Sequence, residues 1–423
     1  MIEVALERSR GSVLDRIAQA FRQRDPYYDA RWMPLNARRK ALNGILDDLL
    51  KKGHPMECAL QYFYEAKWLI NYTDDWARAS AALDECEKSL KDVDQPRITQ
   101  GADGSWGPCC GEWYRKLEPT IDALQEREAA TENLEPLAFM SFLQKPANVV
   151  GLLRALSISD IVATGRNLRD EQNALLTALG QLIFKDGLRK LLVCRAKHLQ
   201  FKVSPELEET FIDYLWGLQQ KQTGYWGPSY KFDDGIVTVP DLSFTFHVVH
   251  YYMDNTARVA PNLDKMVATT LAMKHETYPN GWLEKDGSFS DHNNYDVVTL
   301  FDCGWRAASW KQREVIRHEI QALLDWCLTR SLRDDHFGKE KTIDGYYYGV
   351  RFLDRIGFWD KAKRFWLSEN DDISLPNGCP PPEKIRERLL QGFAAVDDDS
   401  EYCETIKQIL TGVPPVPDAC GRL

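Results

Sequence analysis

Gln220-Lys221-Gln222-Thr223-Gly224-Tyr225-Trp226 has a counterpart earlier in this chain, Gln100-Gly101-Ala102-Asp103-Gly104-Ser105-Trp106. Both read QxxxGxW, and both run straight on into Gly-Pro, at Gly227-Pro228 and Gly107-Pro108. The two tryptophans lie 120 positions apart, a distance that suits a multiple of a repeat unit of two helices. Each residue of the motif has a physical use. A glutamine near a helix end bonds free backbone groups, the glycine permits the turn, and the tryptophan covers the start of the next helix.

Helical periodicity dominates on both sides of these loops, and alternating strand patterns are almost absent, so the chain reads as all-α. Helices are expected near Leu14 to Phe21, over Arg39 to Leu50, Met56 to Ile70 and Ala79 to Leu90, the last capped by Thr73-Asp74-Asp75. Further helices follow at Trp113 to Leu124 and Leu134 to Leu143, with Pro146 as a break. Leu175, Leu176, Leu179, Leu182 and Ile183 mark another, in which Gly180 points to close helix packing. Glu206 to Gln220 leads into the second loop and Asp241 to Tyr252 leads out of it. Aligning the loops on Trp106, Trp226, Phe289 and Phe337 gives a repeat of helix, aromatic loop, helix. An acidic residue, Glu118, Asp241, Asp296 or Asp344, opens the next helix each time, which as a first reading is capping. The expected layout is N-terminal helices over 1–95, the repeat region over 96–370, and a polar tail with short helices over 371–423.

Composition sets the function classes. With 53 basic against 63 acidic residues the chain carries a net charge of −10, which argues against a nucleic-acid partner. No apolar run approaches the length of a membrane span, and the charged start Met1 to Arg8 is unlike a signal peptide, so the expected location is the cytoplasm. Ten cysteines at irregular spacing read as reduced thiols. No cofactor or metal is expected.

The QxxxGxW stretches, with weaker copies at Leu283 to Phe289 and Ser331 to Phe337, resemble the QW repeats of the terpenoid-cyclase and protein-prenyltransferase superfamily. That resemblance implies an α/α toroid, two concentric rings of helices around a cavity that takes isoprenoids. The chemical signatures of the superfamily are missing: Asp92-Val93-Asp94-Gln95 lacks the last acid of the cyclase DxDD motif, Asp397 to Glu401 lies in an acidic tail, and Asp302-Cys303 departs from the zinc spacing. Asp286-Gly287-Ser288-Phe289-Ser290-Asp291-His292 is similar to a stretch of toroidal polysaccharide lyases, in which His and Tyr handle a proton. Cys109-Cys110-Gly111-Glu112-Trp113 resembles a thioester site whose glutamine is replaced by Trp113.

A constellation at the expected inner-helix starts remains: Trp113, Tyr114, Phe244, His247, His250, Tyr251, His292, Asn293, Tyr295, Asp296, Tyr346, Tyr347 and Tyr348. His247, His250 and Tyr251 share a helical face. Histidine beside tyrosine and carboxylate serves general acid/base work, and an aromatic wall stabilises carbocations or stacks on sugar rings. The leading expectation is a small apolar substrate, an isoprenoid, cyclised or rearranged with Asp241 or Asp296 as a proton donor held protonated by apolar surroundings. The alternatives are a carbohydrate-active lyase or hydrolase, with His292 as base, Tyr295 as acid and Asn293 as carboxylate neutraliser, and a non-catalytic binding toroid.

Overall fold

Apolar residues at three- and four-residue spacing fold as helix through most of the chain. The structure is a computed structural model and describes residues 28–52, 57–72, 75–91, 100–101, 103–106, 116–126, 134–160, 167–184, 201, 203–232, 234–253, 258–331, 343–368, 371–394 and 401–412. The expected helix at Leu14 to Phe21 and the motifs at Asp92 to Gln95, Cys109 to Trp113, Phe337 and Asp397 to Asp399 lie outside these residues.

Among the described residues three helices come first: α1 (Tyr28–Lys51), α2 (Glu57–Tyr72) and α3 (Trp76–Leu90). Their stripes, among them Leu42, Leu46, Phe63, Leu69, Leu83 and Cys86, meet in a core of their own. Asp75 caps α3 by accepting the Arg78 N–H, as the sequence leads one to expect.

The helices that follow are α4 (Leu117–Glu126), α5 (Pro146–Leu156), α6 (Arg169–Phe184), α7 (Pro205–Leu218), α8 (Leu242–Val248), α9 (Leu263–Ala272), α10 (Asp291–Gly304), α11 (Trp310–Trp326), α12 (Ile343–Arg355), α13 (Pro382–Phe393) and α14 (Glu401–Thr411). Of these, α4 to α12 sort by their contacts into two rows. In one row α4 packs on α6, α6 on α8, α8 on α10 and α10 on α12, while in the other α5 packs on α7 and α9 on α11. Helix α10 touches both rows and is buried continuously from Asn293 to Phe301, as a helix covered on all sides must be. The tail expected to be polar belongs to the main core: α14 packs on α12, and Leu389, Phe393, Ile406 and Leu410 are buried with it. Short amphipathic helices hide their apolar side in an average that looks polar.

Two local expectations change. Pro146 starts α5 instead of breaking a helix, because the first helical position needs no N–H; the segment before it is a 3-10 helix, Ala138–Gln144. A three-stranded sheet also forms: β2 (Ser229–Phe232) and β3 (Gly235–Thr238) follow Trp226-Gly227-Pro228 and are joined by the earlier β1 (Ile158–Ser159). Its β1 and β2 are parallel, and β2 and β3 pair antiparallel from Ser229 opposite Thr238 to Phe232 opposite Gly235.

The repeat loops explain their own sequence. Gly104 and Gly224 both take positive φ, 82° and 68°, where a side chain is strained. Trp106 and Trp226 each exchange hydrogen bonds with a threonine on the following helix, Thr120 and Thr245. The third repeat divides these features between two places. Around Phe289, the Glu284 and Ser288 N–H groups find Ser288 O and Asp286 Oδ1, the pattern in which Gly101 and Ser105 find Ser105 O and Asp103 Oδ1. The anchoring indole, however, is Trp282: its Nε1 donates to Thr270 O of α9, as Trp226 Nε1 donates to Leu215 O of α7. Trp366 does the same to Ile356 O after α12. Matching the turn put Phe289 in the tryptophan's place, whereas the bond to the preceding helix assigns that place to Trp282.

Candidate functional site

The even-numbered helices bring together a set of polar and aromatic side chains that keep accessible surface although their neighbours on the same helices are buried. Asn173 and Thr177 come from α6, and His292 from α10. His247, His250 and Tyr251 come from α8 and its π-helical continuation Val249–Met253, and Tyr347, Tyr348 and Arg351 from α12. Tyr278, from the loop before α10, joins them. Spacings of three and four residues put each helix's members on one face. A wider π turn recurs at functional sites, and here it sets His250 and Tyr251 after His247. Gly180 of α6 lets that turn approach closely: a Cβ there would meet Tyr251 Cβ at 2.6 Å, the close packing its sequence context implies.

Aromatic contacts link the members. His250 stacks on Phe246 with centroids 5.2 Å apart and lies 4.9 Å from Tyr251 and 6.1 Å from Tyr295. His292 lies between Tyr348 at 4.2 Å and Tyr278 at 5.3 Å.

The three histidines differ in chemistry. His247 Nδ1 donates to Asn173 Oδ1 at 2.9 Å, with Thr177 Oγ1 at 3.3 Å, which leaves Nε2 with the lone pair. Burial, helped by the electrostatic effect of His250, Arg169 and His292, lowers its pKa to about 3, so His247 is a neutral and weakly basic group. Burial also lowers His292, against an opposing pull from Glu284. Among the described residues no hydrogen bond occupies a ring nitrogen of His292. It is therefore an imidazole available to a ligand.

The carboxylates stand behind this wall. Asp241 is the N-cap of α8, accepting the Phe244 N–H at 2.8 Å, and Arg169 grips both its oxygens at 3.0 Å. With 1% exposure and both oxygens committed, it has no oxygen left to carry a proton to a ligand. Asp296 does not open a helix: Ser290 caps α10, and Asp296 sits in its second turn with no exposed surface. Its Oδ2 accepts from Tyr278 Oη at 3.2 Å, and Oδ1 is buried without a hydrogen bond. Burial raises the Asp296 pKa well above the ordinary carboxylate range, and neighbouring Asp241 adds to the rise. The apolar setting expected for a protonated acid thus exists at Asp296, but the group has no surface through which to meet a ligand.

Several other expected site residues pack or brace. Phe244 is a buried core residue. The Asn293 amide donates to Trp282 O and Glu284 Oε1 at 3.0 and 3.1 Å, holding the loop before α10 and not facing the wall. Tyr295 is 1% exposed, and its hydroxyl accepts two bonds from Arg351, so it supports the wall from behind. Burial pushes its pKa up to about 12 despite Arg351. Tyr346 turns toward α13, with its ring 5.9 Å from Phe393 and its hydroxyl over Gly392. Trp113 and Tyr114 lie outside the described residues, as do the side chains of Glu118 and Asp344.

Asn173, Thr177, Arg169, Tyr278 and Arg351 were not expected. A signal existed for some of them: Asn173 and Thr177 are polar at i and i+4 beside the apolar stripe of their helix, and Arg351 follows Tyr347 and Tyr348 by one turn. Among the described residues no helix is long and apolar enough to cross a membrane, and no three His, Cys, Asp or Glu side chains converge as a metal ion requires. No family model, curated protein or solved structure matches this chain.

Proposed function

We propose that the two rows of helices close into an α/α toroid, and that its wall binds a hydroxylated ring of carbohydrate type on which His292 acts as proton acceptor. The carrying observation is the pair His292 and Tyr348: an imidazole with both nitrogens open, 4.2 Å from a partly exposed phenol ring. A tyrosine ring offers a flat face to a sugar and a hydroxyl to its rim, and a neutral imidazole is the form that takes a proton. Histidine, tyrosine, asparagine and arginine together suit a hydroxyl-rich ligand better than a hydrocarbon, which would be held by an apolar wall. Hydrolysis through a pair of acids fits poorly, because it requires two carboxyl groups facing the ligand, and both Asp241 and Asp296 are covered.

A second reading, acid-initiated cyclisation of an isoprenoid, draws on the raised pKa of Asp296. It requires a path from that carboxyl to the ligand. The two readings separate in a ligand-observed NMR titration of the purified chain against neutral and acidic oligosaccharides and against prenyl diphosphates. The sugar reading expects saccharide binding that weakens at least tenfold in Tyr348→Ala, and turnover that is lost in His292→Ala with binding retained. Prenyl diphosphate binding without saccharide binding overturns it in favour of the cyclase reading. Binding without turnover of any of them leaves a non-catalytic toroid.

A further inference from the structure

Among the described residues Arg351 forms no ion pair with a carboxylate. Its guanidinium lies over the rings of Tyr295 and Tyr347, 5.1 and 5.9 Å from their centroids. Its Nε donates to Tyr295 Oη at 3.1 Å and Nη2 to the same oxygen. That oxygen belongs to a neutral phenol, since burial keeps the Tyr295 proton in place to about pH 12. The carboxylate nearest along its own helix, Asp354, is bound at 2.6 Å by Lys363. The other arginines that face the even-numbered helices are neutralised: Arg169 by Asp241 and Asp170, Arg355 by Asp302 at 2.7 Å. No carboxylate among the described residues pairs with Arg351.

A guanidinium withdrawn from bulk water is costly unless a charge partner meets it. Two of its nitrogens are fixed by Tyr295, and the flanking rings hold its plane, so Nη1 remains as a preorganised donor on a side chain that keeps accessible surface on the wall. Such a planar fork recognises carboxylate, sulfate or phosphate oxygens in pairs.

We infer that Arg351 is the oxyanion-binding residue of the wall and that the ligand is acidic, with Tyr295 as the residue that positions the guanidinium. This rests on the reading that the wall is a ligand site, but not on the ligand being a sugar, because a carboxylate-bearing sugar and a prenyl diphosphate both present the required oxygens.

Isothermal titration of the full chain with D-glucuronate, D-glucose, inorganic sulfate and inorganic pyrophosphate tests it. Wild type is expected to bind glucuronate at least tenfold tighter than glucose, with sulfate competing. Arg351→Gln should abolish that preference by weakening glucuronate far more than glucose, and Arg351→Lys, which keeps the charge, should restore part of it. Tyr295→Phe should weaken oxyanion binding without abolishing it. Equal wild-type affinity for the two sugars, or a preference that persists in folded Arg351→Gln, overturns the inference. If neither sugar binds but sulfate or pyrophosphate does, and does so only with Arg351 present, the oxyanion site stands and the carbohydrate reading falls. Absence of all binding overturns both. Should Arg351→Gln fail to fold by circular dichroism, the wild-type comparison of the two sugars decides.

Discussion

Arg169 at the start of α6 holds Asp241, the N-cap of α8, through Nε and Nη2, each at 3.0 Å. One contact ties two helices of the same row and ends an α-helix's need for an N-terminal acceptor. Removing one partner leaves the other charge poorly compensated in a largely buried place. Asp241→Asn is therefore expected to destabilise the chain by about 3 kcal/mol, counting the lost charge pair and the weakened cap. Urea denaturation measures it, and a loss below about 1 kcal/mol would show that the pair contributes no more than a surface one.

Asp296 sets a pH dependence of unusual sign. Its folded pKa is raised above 3.8, so above that pH the unfolded chain releases a proton that the folded chain keeps. Stability contributed by this group is present below pH 3.8 and declines as pH rises toward the folded value, by at most about 1.4 kcal/mol per pH unit. Asp296→Asn, neutral at every pH, should gain stability relative to wild type as pH is raised from 4 toward neutral. Parallel melting curves for the two chains across that range would remove the basis for a protonated Asp296.

His247 acts on the acid side. Its pKa falls from 6.5 in the unfolded chain to about 3 in the folded one, so between those values only the unfolded chain takes up the proton. Stability is full above pH 6.5 and is lost as pH falls toward 3. His247→Gln should flatten that decline, as measured by thermal melting in steps between pH 6.5 and 4. An unchanged slope would mean that the imidazole is solvated in the fold.

Helix contacts behind the wall are equally exposed to test. Gly180→Ala drives a methyl group into Tyr251 and should cost about 1–3 kcal/mol. Trp282→Phe leaves the Thr270 carbonyl without its indole donor and should cost a similar amount, about 1–3 kcal/mol. The same loss is expected for Trp226→Phe at Leu215, because the two indoles do the same work in successive repeats. A neutral Trp282→Phe would return Phe289 to the equivalent position.

The helices, the glycine turns and the close approach at Gly180 are legible in the sequence, since each follows from residue type and local spacing. Trp282 is hidden in the sequence because Asp286-Gly287-Ser288-Phe289 copies the turn of Asp103-Gly104-Ser105-Trp106, whereas the indole bond that Trp282 shares with Trp226 and Trp366 reaches a helix ten to twelve residues back. His247, His250 and Tyr251 are legible as one helical face, and His292, Tyr347 and Tyr348 as candidates by residue type. Arg351, Asn173 and Thr177 were not, because their meaning depends on which helix lies beside which, and that is decided by packing between segments far apart in the chain. Asp241 and Asp296 illustrate the converse. Acids near loops invite a chemical reading, and only burial shows that one is consumed by Arg169 and the other enclosed with Tyr278.

We propose that the face shared by α8, α10 and α12 receives a ring-shaped ligand. A crystal structure of the chain grown with an acidic oligosaccharide tests it most directly. The account predicts a sugar ring against Tyr348, a ring atom or hydroxyl within hydrogen-bonding distance of His292, and the acid group on Arg351. A ligand bound elsewhere, or side chains filling the space between these helices so that no ring fits, would contradict it.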